Sequence, residues 1–197
     1  MPKEAHSGRV RLKAAGVTLL LVTGRVIEDL SRIFAHMEVF DMIVAENGGR
    51  LYSPKAKVVR CLAEPPPAGF VGPIEVGHCI VATWEPQEAV LATIKELGLD
   101  LKIILNKGAV MILPQGVDKA SALAAVLQQF GLKAAEVVAI GDAQNDQAML
   151  EMCGFPVAVA NALPGLHKHA RYVTTAGRGE GVAELIGMIL QPDFSLP

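Results

Sequence analysis

Short, almost wholly apolar segments recur along this sequence and alternate with segments in which apolar residues have helical spacing. Strands buried on both faces of a parallel sheet have this composition, and helices return the chain to the start of the next strand. The pattern therefore predicts an α/β fold with a mostly parallel, Rossmann-like sheet covered by helices on both faces. The strand segments are 17–22, 41–45, 137–140 and 156–159, and helices are predicted at 5–15, 26–37, 118–130, about 144–152 and from 181 onward.

A proline-rich stretch interrupts this alternation at residues 53–78, where five prolines occur, three of them consecutive. It is typical of a connection and not of a central element. Beyond it we predict a strand at 79–83, a helix at 87–97, and a hairpin formed by LKIIL and AVMIL around the turn NKG. The expected organisation is a core domain at 1–59, a small α+β cap domain at 60–114, and the rest of the core at 115–197.

Charge and composition argue against several classes of partner. With a net charge of −2 and no run of Lys or Arg, no nucleic acid partner is expected. No apolar stretch approaches the roughly 18 residues that span a bilayer, and the first residues resemble no signal peptide, so we expect a cytoplasmic protein without a membrane partner. Cys61, Cys79 and Cys153 form no CxxC pair, which argues against a disulfide framework or a zinc site.

Polar groups follow three of the predicted strands, and ligands of open parallel sheets bind beyond the carboxyl ends of the strands. The groups are Thr23-Gly24-Arg25, Glu46-Asn47-Gly48-Gly49 and the run from Asp142 to Asp146. A fourth group, Lys119, begins a helix, where its charge opposes the helix dipole unless an anion lies nearby. Each group also has a simpler interpretation: Asp142 and Thr23 as helix caps, Arg25 and Lys119 as surface charges, and ENGG as a turn.

Together these groups indicate a site for a phosphate ester and Mg²⁺, a cation that prefers oxygen ligands and needs few carboxylates. Asp142 and Asp146 are the predicted metal ligands, with Asn145 orienting them. The Thr23 hydroxyl and the amides of the glycine turns are predicted to bind the phosphoryl oxygens, and Lys119 to neutralise developing charge. The candidate substrate-binding residues from this argument are Gly24, Arg25, Asn47, Gly48 and Asn145.

The segments LLLVTGR, IVAENGG, GVDKASAL, VVAIGDAQNDQAML and PVAVANALPG resemble, in this order, the haloacid dehalogenase-like superfamily, and in particular its Cof-like type IIB phosphatases. The resemblance covers nearly all of residues 10–190. It implies a Rossmann-like core with a small α/β cap, a Mg²⁺ cofactor and hydrolysis of phosphate esters. In that family Thr23, Lys119 and Asp142 would be the residues of the second, third and fourth motifs, Asn145 and Asp146 would complete the fourth, and Asn161 would lie beside the site.

The family's first motif, DxDGT, is missing from these residues. Its first Asp is the nucleophile and its second the general acid/base, and it ends a strand at the middle of the sheet. Here 22 residues precede Thr23, they predict a helix, and no DxD occurs anywhere. We therefore expect very little turnover by the chain as written. The explanations left open are a shortened version of an active enzyme, a degenerate relative, and a carboxylate supplied by another chain. The loss of a central strand also predicts a homo-oligomer that covers the unpaired edges.

Two kinds of function follow. The first is a Mg²⁺-dependent phosphatase for a small phosphorylated metabolite, such as phosphoglycolate or a sugar phosphate. The second is a non-catalytic module that binds phosphate or metal. A nucleotide-binding Rossmann domain is disfavoured, because no GxGxxG or GxxxxGK[ST] follows a strand. The cap residues that could contact a leaving group are His78, Trp84, Glu85, Asn106 and Lys107.

Overall fold

The computed structural model describes residues 3–67, 69 and 71–195, which form an α/β core and a smaller cap. The strands of this part of the chain are β1 (Leu20–Val22), β2 (Met42–Ala45), β3 (Arg50–Ser53), β4 (Val58–Cys61), β5 (Glu75–Val76), β6 (Val81–Thr83), β7 (Leu101–Asn106), β8 (Ala109–Pro114), β9 (Val138–Gly141), β10 (Phe155–Ala158) and β11 (Tyr172–Val173). The α-helices are α1 (Lys3–Ala14), α2 (Ile27–Ile33), α3 (Gln87–Glu96), α4 (Lys119–Phe130), α5 (Gln147–Met152), α6 (Pro164–His167) and α7 (Arg178–Ile189).

The core sheet consists of two separately hydrogen-bonded parts. In the first part the order is β1–β2–β3–β4, with β1 parallel to β2 and the next two strands antiparallel. In the second part the order is β11–β10–β9, and all three strands are parallel. Within the described residues β1 and β9 are therefore edge strands. An unpaired edge on each of these two strands is what the expected loss of a central strand predicts.

Helix α4 packs against both parts of the core sheet. Its Leu123 belongs to a buried cluster with residues of β9 and β10, and its Val126 to a cluster with residues of β2 and β3. Leu20 and Val22 of β1 pack against both clusters, so side chains connect the two parts where backbone hydrogen bonds do not. Full burial of one such side chain stabilises the fold by about 1.5–3 kcal/mol, so apolar packing holds the parts together.

The cap is a four-stranded antiparallel sheet with the order β5–β6–β8–β7 and one helix on its outer face. Because side chains alternate along a strand, Val110 and Ile112 of β8 face helix α3, where they pack with Val90. Met111 and Leu113 face the opposite way, in a cluster that includes core residues. The predicted hairpin of β7 and β8 is confirmed.

Helices α1 and α7 pack together through a glycine. A Cβ atom at Gly8 would lie 2.8 Å from Cγ2 of Ile186, so a larger residue there would separate the helices. The predicted helices at 5–15 and 118–130 are confirmed, and α4 ends at Gly131 in the left-handed conformation with φ 68°. No helix in the described part of the chain is both long and apolar enough to cross a bilayer.

Several predicted elements are shorter than expected or were missed. The helix predicted at 26–37 ends at Ile33, because Phe34 is extended, and the chain forms a 3₁₀ turn at Met37–Val39. The helix predicted at 144–152 begins as a 3₁₀ turn at Gln144–Asp146. The supposed connection at 53–78 contains β4 and β5, so that prediction was wrong in part. All residues of β4 and β5 are exposed, and their short sequences, VVRC and EV, do not show the apolar alternation that identifies a half-buried strand.

Candidate active site

Three polar turns meet where β1, β2 and β9 end, at the opening between the two parts of the core sheet. Thr23 follows β1, Glu46 and Asn47 follow β2, and Asp142 follows β9. Lys119, the first residue of α4, is buried beneath them. The structure thus brings together the polar groups that the strand-end argument selected.

The centre of this site is a buried ion pair between Lys119 and Asp146. The Lys119 Nζ atom lies 2.6 Å from Oδ1 of Asp146, and both side chains are only 7% exposed. The other oxygen, Oδ2, accepts hydrogen bonds from the amides of Asp142 at 2.9 Å and Ala143 at 3.1 Å. A Cβ atom at Gly141 would lie 2.6 Å from Cβ of Asp146, so the turn requires glycine there. Asp146 therefore holds the 142–146 turn in shape with both of its oxygens engaged.

Asp142 is the carboxylate that faces the cap. Its side chain is 41% exposed, and its Oδ2 lies 2.6 Å from Nζ of Lys107, in the turn between β7 and β8. An ammonium group thus lies directly beside the Asp142 carboxylate. The donor chemistry fits Mg²⁺ held by Asp142, since Mg²⁺ accepts a single protein carboxylate together with waters and substrate oxygens.

Asn47 connects the two parts of the sheet at the site. It is fully buried, its Oδ1 accepts a hydrogen bond from Nδ2 of Asn145 at 2.9 Å, and its Nδ2 donates to Sδ of Met111 in the cap at 2.9 Å. Asn47 has φ 50°, a left-handed conformation that asparagine tolerates better than most residues. A Cβ atom at Gly24 would lie 3.1 Å from Oδ1 of Asn47, so Gly24 permits this close approach. Gly48 approaches the backbone of Asp118 more closely still, so a side chain could not be accommodated there.

Thr23 and Arg25 have local partners. The Thr23 hydroxyl oxygen accepts a hydrogen bond from the amide of Arg25 at 3.2 Å, which leaves the hydroxyl hydrogen free to be donated to a ligand. The Arg25 guanidinium lies 3.5 Å from Asp29 at the surface. Neither Thr23 nor Asp142 caps a helix, because α2 begins after Val26 and the 3₁₀ turn at Gln144–Asp146 begins after Ala143. The simpler interpretation of these two residues as caps is therefore wrong.

Asn161 serves the start of α7. Its Oδ1 accepts a hydrogen bond from the amide of Arg178 at 2.7 Å, the first residue of that helix. This contact satisfies one of the amides that a helix start leaves free. The described side-chain contact of Asn161 is therefore to the start of a helix and not to the turns around Asp142.

The cap is joined to the core by a second ion pair, between Lys102 of β7 and Asp118. The Lys102 Nζ atom lies 2.7 Å from Oδ2 of Asp118, whose Oδ1 also accepts the amide of Ser121 and so caps α4. Burial alone would raise the pKa of Asp118, but the hydrogen bonds from Lys102 and Ser121 outweigh it and hold that pKa below its usual value. The pair contributes to fixing the cap over the site.

Glu46 is a buried functional candidate that our sequence argument did not select as a site residue. It is fully buried, lies 3.3 Å from the Arg50 guanidinium, and accepts the amide of Cys79 in the cap at 2.6 Å. Burial, with a smaller effect of the Glu46 charge, raises the pKa of the Cys79 thiol to about 11. The sequence signal that could have identified Glu46 is its position directly after strand β2. A glutamate in an exposed turn would show the same sequence pattern.

The other cap candidates differ in their surroundings. Trp84 is 64% exposed, and the Glu85 carboxylate accepts the amide of Gly72. The Oδ1 atom of Asn106 is buried and has no hydrogen-bond partner among the described residues. Among these candidates, Lys107 is the one that reaches Asp142.

Comparison with known proteins agrees with this geometry. Residues 85–186 match a family model described as haloacid dehalogenase-like hydrolase. A phosphoglycolate phosphatase from Methanothermobacter thermautotrophicus is 30% identical over 185 residues, which cover 87% of this chain and 83% of the relative. The chain belongs to the haloacid dehalogenase-like hydrolases. Other curated relatives align over less than half of their own length.

Several solved structures have the same fold. A Thermoplasma acidophilum protein superposes with a TM-score of 0.80 at 19% identity, over 95% of this chain and 89% of that chain. A sugar phosphatase of subclass IIB superposes with a TM-score of 0.76 at 17% identity, over 95% and 91%. The predicted fold is therefore confirmed, and the family match confirms the resemblance to the haloacid dehalogenase-like superfamily.

Proposed function

We propose that this chain forms the site of a Mg²⁺-dependent phosphatase for small phosphorylated metabolites, and that residues 1–197 alone give little turnover. The observation that carries the proposal is the meeting of Asp142, the buried Lys119–Asp146 pair and the Thr23 hydroxyl at one sheet opening. The low turnover follows from the missing aspartate nucleophile of the first motif.

The residues of the site have separable roles in this proposal. Mg²⁺ held by Asp142 would supply positive charge to the phosphoryl oxygens. The Thr23 hydroxyl and the amides near Gly24 and Gly48 bind those oxygens, and Lys119 adds fixed positive charge beneath them. Asp146 keeps Lys119 and the 142–146 turn in position, because its two oxygens bind both.

The position of the cap residue Lys107 supports a compact substrate that carries a second anionic group besides its phosphate. Its ammonium group already pairs with a carboxylate, and a cation bound at Asp142 would release it. The released lysine would lie at the mouth of the site, where it could bind the carboxylate of phosphoglycolate. A phosphoglycolate phosphatase among the relatives supports this substrate class, and the sugar phosphatase among the structural neighbours supports sugar phosphates as the alternative.

The proposal is tested by hydrolysis of an aryl phosphate, with and without Mg²⁺, by two versions of the protein. One is the unaltered 197-residue chain. The other is a fusion in which an apolar strand ending in Asp-x-Asp-Gly-Thr precedes this chain. We expect turnover from the fusion alone, dependent on Mg²⁺ and abolished by Asp142→Asn. The matched control is Asp100→Asn, which changes an exposed cap carboxylate and should leave turnover unaltered.

If the unaltered 197-residue chain hydrolyses the ester and Asp142→Asn abolishes this turnover, the nucleophilic carboxylate must come from a group outside the missing first motif. Failure of the fusion, if it is folded, would instead favour the non-catalytic module. The engagement of both Asp146 oxygens by protein donors favours that alternative. Its test is an increase in the melting temperature of the unaltered chain on addition of phosphoglycolate, which a non-catalytic module should show without hydrolysis.

A further inference from the structure

Two cysteines and a histidine meet where the cap joins the core, beside the Glu46–Gly49 turn. Cys61 is the last residue of β4 in the core, and His78 and Cys79 form the turn between β5 and β6 in the cap. One sulfur or ring nitrogen from each lies within 4.8 Å of those of the other two. No other group of three metal-ligating side chains is this compact in the described part of the chain.

The turn that carries two of these groups is held rigidly. Glu46 accepts the amide of Cys79 at 2.6 Å, and the amide of Gly77 donates to the carbonyl of Ile80 at 2.8 Å. A Cβ atom at Gly77 would lie 2.6 Å from Oε2 of Glu46, so the carboxylate and the turn are in close contact. The position of the Cys79 sulfur is therefore set by a buried residue of the core.

The three groups differ in accessibility in a way that suits an incoming ion. Cys79 is fully buried, with its Sγ 3.1 Å from the carbonyl of Ala63 and 3.3 Å from that of Gly49. Cys61 and His78 are exposed. An ion can thus approach from solvent, and to bind it the Cys79 thiol must release its proton and the hydrogen bonds that it donates to these carbonyls.

The two sulfur atoms and the ring nitrogen of this group determine which metal ions it can bind. Thiolate and imidazole ligands suit Zn²⁺ and other thiophilic cations, whereas Mg²⁺ requires oxygen. Zinc–sulfur bonds of about 2.3 Å and zinc–nitrogen bonds of about 2.0 Å place tetrahedral ligand atoms roughly 3.5–3.8 Å apart. Side-chain movements of about 1 Å therefore suffice to close the group around an ion.

We propose that Cys61, His78 and Cys79 form a binding site for a thiophilic divalent cation, Zn²⁺ in the first place, that ties the cap to the core. Three protein ligands leave the fourth tetrahedral position to water or another small ligand. The site is chemically distinct from the Asp142 site and does not depend on the proposed phosphatase activity. It also reverses our sequence-based expectation that the cysteines hold no metal.

The test is a Co²⁺ titration of the reduced, chelator-treated chain followed by absorption. We expect a thiolate-to-cobalt charge-transfer band and tetrahedral visible bands that saturate at a single ion per chain. Zn²⁺ should abolish the bands and excess Mg²⁺ should not. Cys61→Ser and His78→Ala, both at exposed positions, should each weaken binding at least about tenfold. Cys153→Ser, at a buried cysteine outside the group, is the matched control and should bind as the unaltered chain does.

The absence of a charge-transfer band, or a band unchanged by Cys61→Ser, would overturn the proposal. A second measurement is alkylation of Cys61, which Zn²⁺ should slow in the unaltered chain and not in His78→Ala. If mild oxidation without metal instead links Cys61 to Cys79, and Zn²⁺ protects neither, the group is a disulfide pair and the metal assignment is wrong.

Discussion

At the scale of single residues, Lys119 and Asp146 show how a buried charge is retained. Both side chains are almost wholly removed from water, a transfer that is costly unless each charge is paired and hydrogen-bonded. The pair meets that condition because Asp146 receives one charged donor and two amide donors. The sequence predicted that both residues belong to the site, but not that they bind each other.

Replacing Lys119 by Met should destabilise the chain by about 3–5 kcal/mol, because the Asp146 carboxylate would remain buried without its cation. Urea unfolding followed by circular dichroism measures this loss. The matched control is Lys102→Met, which breaks the more exposed pair with Asp118 and should cost about 1 kcal/mol or less. Equal losses of unfolding free energy in the two variants would mean that burial does not make the Lys119–Asp146 pair more costly to break than the Lys102–Asp118 pair.

At the scale of secondary-structure elements, the decisive feature is the pair of edges, on β1 and β9, that no strand of the described residues covers. Edge strands expose unpaired amides and carbonyls that can join another chain. Apolar side chains of β1 and helix α4 bridge the two parts of the sheet, but they do not satisfy these backbone groups.

The unaltered 197-residue chain should therefore self-associate. Its molar mass, measured by light scattering, should rise with protein concentration. The fusion that carries an additional apolar strand is the control, since that strand should occupy the gap and leave a monomer. An unaltered chain that is monomeric at every concentration would contradict the prediction.

A carboxylate of α7 is the main link between that helix and the segment after β11. Hydrogen bonds, first from the Thr175 amide and then from the Tyr172 hydroxyl, lower the pKa of Glu184 from 4.5 to about 2. Because the folded state favours the ionised form, this stabilisation is complete above pH 4.5 and is lost as the pH falls towards 2.

The variant Glu184→Gln should accordingly melt at a lower temperature than the unaltered chain at pH 7, and the difference should shrink below about pH 3. Differential scanning calorimetry across this range measures both. Glu180→Gln, at an exposed position of the same helix, should show little difference at either pH. A difference that grows on acidification would have the wrong sign.

At the scale of the whole molecule, the cap is held on the core by ion pairs from both ends of β7. Lys102 pairs with Asp118 beneath the cap, and Lys107 pairs with Asp142 at the site itself. Because Lys107 occupies the carboxylate that would hold Mg²⁺, cation binding and cap position should be coupled.

Replacing Lys107 by Ala should tighten Mg²⁺ binding about twofold to fivefold, because the ion no longer competes with an exposed ammonium group. Phosphoglycolate binding in the presence of Mg²⁺ should weaken in the same variant. Isothermal titration measures both, with Lys57→Ala at an exposed turn as the control. Weaker Mg²⁺ binding by Lys107→Ala would show that this lysine supports the metal site instead of competing for it.

The sequence by itself determined the α/β alternation, the cap hairpin, the family and the strand-end positions of Thr23, Asn47 and Asp142. These are local properties, because they depend on the period of apolar residues and on the residues that directly follow a strand. The absence of a DxD motif from these residues could also be read from the sequence.

Only the tertiary structure decided which polar groups bind one another. Lys107 and Asp142 are 35 positions apart, and Asn47 and Asn145 are 98 apart, so no local pattern relates them. The same holds for Cys61, which ends a strand of the core, and His78, which lies in a turn between two cap strands; they meet only because the cap folds back onto the core. Such contacts depend on how separate elements pack, and the periodicity of a single chain segment carries no information about them.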